Sequence, residues 1–224
     1  VDVNGIVKSV EGRSGVVYCF VDRSGERAMY VSPGVNDYLR FERIDLEYCR
    51  NTEYMHLTSF IGEKPFKAQK ELLKKLDGVK ISFDPGMHYA VKGLEALRPI
   101  INRCQIFLSN EMEIRLLTGR DLQEASRLLL NEGVEVVAVK LGARGCYVTD
   151  GLQEHYIDAY KVKAVDTTGA GDAYCAGFLY GYIRGLDLYE CGWLGNYVAS
   201  CKIRRMGARE GLPRKSDLPK RLLE

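Results

Sequence analysis

The sequence predicts an α/β fold, a largely parallel sheet covered by helices on both faces. Two observations lead there. From about residue 54 onward, short strand-like segments alternate with helical ones, and several of the strands, such as VKISFD (79–84), CQIFLS (104–109) and VEVVAVKLG (134–142), are almost continuously apolar. A strand without polar alternation is buried on both faces, which is the habit of α/β sheets rather than one-sided antiparallel ones.

The elements follow in order. Residues 16–32 hold two β-rich runs around Asp22-Arg23-Ser24-Gly25, a hairpin signal. YMHLTS (54–59) reads as a short buried strand. After Pro65, FKAQKELLKKL places Phe66, Leu72, Leu73 and Leu76 on one helical face. The strand 79–84 is stopped by Asp84-Pro85-Gly86. A helix is expected around 90–98, a strand at 104–109, and a helix from Asn110 closed by Gly119. Another helix covers about 121–131, before the strand 134–142. GCYVTD and EHYIDAY form an antiparallel pair joined at Asp150-Gly151, and long helices span 170–184 and 188 to about 205. Residues 1–45 differ in kind and read as a flap or lid carrying the hairpin. Residues 46–224 read as the α/β core.

Composition limits the function classes. The chain has 224 residues, 32 Lys plus Arg against 30 Asp plus Glu, and 46% hydrophobic residues. The near balance of charge gives no basic field for nucleic acid. No apolar run approaches the roughly 18 residues of a membrane-crossing helix. The 7 cysteines are odd in number, scattered and without a CxxC pair. That favours small core residues in a reducing compartment, so a cytoplasmic location is expected. The start, Val1-Asp2-Val3-Asn4-Gly5, carries no signal-peptide pattern and reads like a chain entered in mid-sequence. His56, His88 and His155 show no metal spacing. The basic cluster Lys202, Arg204, Arg205, Arg209, Arg214 and Lys215 reads as a solvated helix end.

Ligands of α/β sheets gather beyond the carboxyl ends of the strands. Four segments fall there: Asp84, Asn110, Gly142 and the turn AVDTTGAGDAY (164–174). In that turn small residues let a ligand approach the backbone, and the first amides of a helix suit a phosphate. Asp172 would repel a phosphate, but it makes sense as the acceptor of a proton from an attacking hydroxyl. The same residues are also ordinary helix-start chemistry, and local physics supports both readings equally. Asn110 with Glu113 is likewise a near capping box, Lys140 a strand-end charge, and Asp84 a common turn opening before proline.

DTTGAGDAYCAGF (166–178) resembles, almost residue for residue, the C-terminal signature of the ribokinase-like sugar and nucleoside kinases, the PfkB family. SFDPG (82–86), SNEMEIRLLTG (109–119), VKLGARG (139–145) and GNYVASCKIRRMGAREGLP (195–213) resemble further family segments in the same order. The resemblance implies a three-layer α/β/α ribokinase-like fold with a β-hairpin flap. It implies ATP-dependent phosphorylation of a primary hydroxyl on a small sugar or nucleoside. Asp172 would then be the catalytic base, and the amides of Gly169, Ala170, Gly171 and Asp172 the anion hole. Asn110 and Glu113 would organise magnesium through water. Lys140, Gly142, Gly145, Asn196 and Gly207 would lie on the nucleotide side, and Asp84 would be the acceptor contact. Asp166 and Ala208 would hold a monovalent cation, potassium.

The pattern departs from the family at its start, because the first Rossmann-like segment, a substrate-binding aspartate and a Gly-Gly motif do not occur before Val1. The expectation is a family fold lacking its N-terminal part, with an exposed sheet edge and dimerisation through that edge or the flap. A catalytically impaired nucleotide-binding remnant stays open as the rival reading. A P-loop enzyme is disfavoured because GxxxxGK[ST] does not occur, and a dinucleotide oxidoreductase because GAGDAYCAG comes late and opens no early strand–turn–helix unit.

Overall fold

A computed structural model describes residues 2–22 and 27–219; the hairpin-turn residues Arg23, Ser24 and Gly25 lie outside them. Two strands, β1 (Val16–Val21) and β2 (Arg27–Ser32), pair antiparallel as the sequence predicts, and β1 is exposed along its whole length. Two short 3-10 turns (34–38 and 41–43) and α1 (Leu46–Arg50) lead to β3 (Tyr54–Thr58). There follow α2 (Glu63–Lys75), β4 (Lys80–Asp84), α3 (Gly86–Ala90), α4 (Leu94–Ile101), β5 (Cys104–Asn110), α5 (Glu111–Thr118), α6 (Leu122–Asn131) and β6 (Val136–Lys140). The chain continues through β7 (Cys146–Thr149), β8 (Glu154–Ile157), α7 (Ala170–Ile183) and α8 (Leu188–Lys202).

Strands β3 to β8 make one six-stranded sheet in chain order. β3 to β6 run parallel, whereas β7 and β8 are antiparallel additions. The alternation of side chains sorts the sheet's two faces. Ile81, Phe83, Phe107, Val137 and Val139 pack under the helices from α2 to α6, and Ile106, Leu108, Ala138 and Val148 pack under α7 and α8. This is the expected three-layer α/β/α arrangement with a small antiparallel sheet beside it.

Local chemistry explains the boundaries. Phe66, Leu72, Leu73 and Leu76 are all buried, as their spacing requires. α2 begins at Glu63, so Pro65 sits in the first turn, where its missing N–H costs nothing. Gly119 closes α5 in the left-handed conformation, with φ 69°. The single helix expected at 90–98 is instead two, because Gly93 at φ 78° ends one segment and starts the next. YMHLTS is not a buried strand: β3 lies at the sheet edge, and of its five residues only Leu57 is buried.

α7 and α8 are apolar on most sides and approach closely. A Cβ on Gly177 would fall 2.8 Å from the carbonyl oxygen of Leu194 and 3.0 Å from Cα of Gly195. This contact fixes the middle of α7 against α8.

Candidate active site

The residues at the strand ends converge because the parallel register aligns them. Thr58 pairs with Asp84 and Asn110 with Lys140, on the face that α7 and α8 cover. Lys140 Nζ lies 2.6 Å from Asp84 Oδ2, and both side chains are largely buried. The Cys175 thiol of α7 donates to the same Asp84 oxygen at 3.3 Å. Burial works to depress the Lys140 ammonium, but the charge and hydrogen bond of the Asp84 carboxylate outweigh it and hold the lysine above its ordinary range. Burial also pushes the Cys175 thiol well above its usual range, so at neutral pH it stays protonated and Asp84 is the anion that decides.

Gly169 starts α7 with φ 76°, and a Cβ there would meet the carbonyl oxygen of Ala208 at 2.6 Å. Both the conformation and the close approach demand glycine. The Ala170 N–H is spent on Thr167 O at 3.1 Å. The anion hole expected over 169–172 therefore loses that donor, and the N–H groups of Gly171 and Asp172 remain without an acceptor among the described residues. Lys140 Nζ lies 3.5 Å from where a Cβ of Gly171 would stand, which puts a cation beside these amides. The Asp172 side chain is exposed and makes no hydrogen bond or ion pair among the described residues.

All of this opens into a cavity of about 1350 Å³. It is lined by Asp84, Asn110, Glu113, Lys140, Gly142, Gly145, Ala170, Gly171, Asp172 and Asn196 among the residues singled out from the sequence. Asn110 and Glu113 form a complete capping box: the Glu113 N–H donates to Asn110 Oδ1, and the Asn110 N–H to Glu113 Oε2, each at 2.8 Å. Burial, then the charge of Asp84, raises the Glu113 carboxyl above its ordinary value. Gly145 is fixed by packing, since a Cβ would fall 1.9 Å from the carbonyl oxygen of Ile157. Asn196 spends its amide nitrogen on the carbonyls of Ile157 and Asp158, at 3.0 and 3.2 Å, and so ties α8 to the end of β8.

Asp166, Gly169, Gly207 and Ala208 stand behind the cavity wall rather than in it. Asp166 Oδ1 accepts the Thr168 N–H and Oδ2 the Gly207 N–H, both at 2.8 Å. The Thr168 and Gly207 bonds hold this carboxyl well below the usual carboxylate range. Lys202 corrects the reading of the basic cluster as a solvated helix end. Arg204, Arg205, Arg209, Arg214 and Lys215 are exposed, but Lys202 is 0% exposed and donates to the carbonyl oxygen of Asp166 at 2.7 Å. The signal was present in the spacing: Leu194, Val198 and Lys202 stand four residues apart on one buried stripe of α8. Among the described residues, no group of three His, Cys, Asp or Glu side chains could hold a metal.

Residues 1–215 match the family described as pfkB family carbohydrate kinase. This chain belongs to that family. A protein of Archaeoglobus fulgidus named as an uncharacterised sugar kinase is 48% identical over 92% of this chain and 83% of its own length. A cytidine kinase of Thermococcus kodakarensis is 36% identical over 69% of this chain and 58% of its own. The crystal structure of a Thermotoga maritima ribokinase superposes with a TM-score of 0.81 at 26% identity, covering 96% of this chain and 71% of that one. This pfkB chain thus has the ribokinase-like fold, over part of the length of those relatives. No helix among the described residues is long and apolar enough to cross a membrane.

Proposed function

We propose that this pfkB-family chain transfers the terminal phosphoryl group of ATP to a primary hydroxyl of a small sugar or nucleoside. The observation that carries the proposal is the start of α7. A carboxylate with no partner among the described residues, Asp172, stands beside two unengaged amides and a buried lysine at the edge of one large cavity. In this reading Asp172 takes the proton of the attacking hydroxyl. The amides of Gly171 and Asp172 stabilise charge on the transferred group, with Lys140 alongside. Gly142 and Asn196 border the nucleotide, Gly145 shapes its loop and Gly207 braces it from behind, while Asp84 faces the acceptor.

Magnesium fits the same cavity, because the buried Glu113 carboxylate is disfavoured by burial and by Asp84, and a divalent cation relieves both. Asn110 and Glu113 would hold it through water, and it would neutralise phosphate oxygens. Residues 1–45 act as a lid over the 46–224 core, and copies pair through the exposed flap. With free cysteines throughout, the cytoplasm is the compartment proposed.

Turnover of ATP against a panel of sugars and nucleosides is the test. Asp172→Asn is expected to lower phosphoryl transfer by about 10²–10⁴-fold while nucleotide affinity holds. Unchanged turnover would remove the role given to Asp172.

A further inference from the structure

Lys202 sits in the last turn of α8, wholly buried, and nothing in the proposed phosphoryl transfer uses it. A lysine so placed is rare unless a partner compensates the lost hydration. Its partner is the main-chain oxygen of Asp166, at 2.7 Å. The surrounding bonds show what this contact holds. The Val165 and Asp166 N–H groups donate to Ile203 O at 2.7 and 3.2 Å, so the loop before the catalytic turn is clamped to the end of α8. The Asp166 carboxylate then takes the Thr168 and Gly207 amides, and Ala208 O lies against Gly169. The ammonium completes an oxygen-lined junction directly behind the turn that offers the Gly171 and Asp172 amides.

The family resemblance places a monovalent cation at Asp166 and Ala208, and the residues present do not fit one. The Asp166 carbonyl already serves an ammonium, and both carboxylate oxygens already serve backbone donors. A second monocation on that carbonyl would lie within two bond lengths of the buried Lys202 ammonium, and the two like charges would repel at that distance even though Asp166 is only half-buried and Ala208 exposed. An ammonium and a potassium ion carry the same charge and are held by the same kind of oxygen. We infer that Lys202 is a built-in monovalent cation: tethered to α8, its ammonium positions the 166–172 turn through its hydrogen bond to Asp166 O, and this chain binds no potassium there. Lys202 is a positioning residue and touches no reacting atom.

The inference rests on the kinase reading only for its kinetic arm. Crystals of the native chain soaked in rubidium chloride are expected to show no anomalous peak within coordination distance of Asp166 O or Ala208 O. A rubidium peak there overturns the inference. Native turnover should be the same in potassium, sodium and choline chloride at equal ionic strength, and a potassium activation of fivefold or more also overturns it.

Lys202→Met should lose at least tenfold in kcat with KM for ATP little changed. Potassium, but not choline, should restore part of that loss, raise the thermal midpoint and yield a rubidium peak at the junction. A folded Lys202→Met chain that responds equally to both salts assigns Lys202 a plain packing role and sinks the inference. Should the variant fail to fold, the native rubidium and salt arms decide. Should no acceptor be turned over, the kinase reading fails while the diffraction arm still judges the cation.

Discussion

The flap and the core of this chain are built on opposite terms. β1 and β2 form an isolated two-stranded sheet whose Val17, Tyr18, Phe20, Met29 and Tyr30 are all more than half exposed. The six-stranded sheet buries Phe83, Phe107, Val137 and Val139 completely. A two-stranded hairpin alone is marginal in water, whereas a sheet sandwiched by helices carries its own core. The polypeptide therefore spends its packing on holding strand ends and the α7 turn in register. It leaves the apolar ribbon of β1 and β2 largely in solvent.

The sharpest way to break this contrast is to remove one ring from each region. Phe107→Ala in β5 should cost about 3–5 kcal/mol, as expected when a fully buried aromatic leaves a cavity behind. Urea unfolding measures it directly. A loss below 1 kcal/mol would mean the sheet does not carry the stability assigned to it.

Next in size is Asp166→Asn, which removes charge from a carboxylate that holds two amides and should cost about 1–2 kcal/mol. The direction with pH follows from the depressed pKa, whose first cause is the Thr168 amide. A carboxyl that ionises more readily when folded adds stability above its unfolded pKa and loses it as pH falls through the lower folded value. The gap between native and variant should thus persist at neutral pH and close only in strong acid.

Glu113→Gln should move the other way and by less. Its folded pKa is raised by burial first and Asp84 second, so its contribution is fullest in acid and fades as pH rises through the raised value. Glutamine keeps an acceptor for the Asn110 N–H and carries no charge, so the variant should be more stable than native at about pH 7 but not at about pH 4. The same change should weaken magnesium dependence more than nucleotide affinity. An unaltered magnesium titration counts against the metal role of Glu113.

These sites differ in how far the sequence reveals them. Strand ends and caps were legible because they depend on neighbours along the chain. Asn110 with Glu113, Gly119 after α5 and the stripe Phe66, Leu72, Leu73 and Leu76 all follow from spacing alone. The edge position of β3 was not, because it depends on what lies across the sheet, and the break at Gly93 was not, because glycine takes a helical or a left-handed conformation with equal ease. The spent amide of Ala170 was hidden for a similar reason: a turn bond to Thr167 is decided by backbone geometry, not residue type. Lys202 is the clearest case. Its spacing from Leu194 and Val198 hints at burial, but its neighbours Arg204 and Arg205 suggest solvent, and the Asp166 carbonyl that a buried ammonium needs comes from the 164–168 loop, outside any local pattern. Local rules read capping and periodicity well; they fail where a long-range contact overrides the usual preference of a charged side chain.

The smallest expected effect on folding is also the one that tests the flap's purpose. Phe20 and Tyr30 meet edge to face, 5.6 Å between ring centres, with 62% and 64% of each residue in solvent. Substituting Phe20→Ser together with Tyr30→Ser should change the stability of a monomer by no more than about 0.5 kcal/mol, as for most exposed positions. If the ribbon is the face through which two copies pair, the same double change should raise the dimer dissociation constant by at least tenfold in sedimentation equilibrium. The core's unfolding midpoint, read at concentrations where both proteins are monomers, should stay in place. A native chain that sediments as a single monomer at high concentration removes the pairing role and leaves the proposed lid as the reading to be tested. Covering the site and meeting a second copy make different demands: a lid is sensed by acceptor affinity at any protein concentration, whereas a pairing surface is sensed only when copies are abundant.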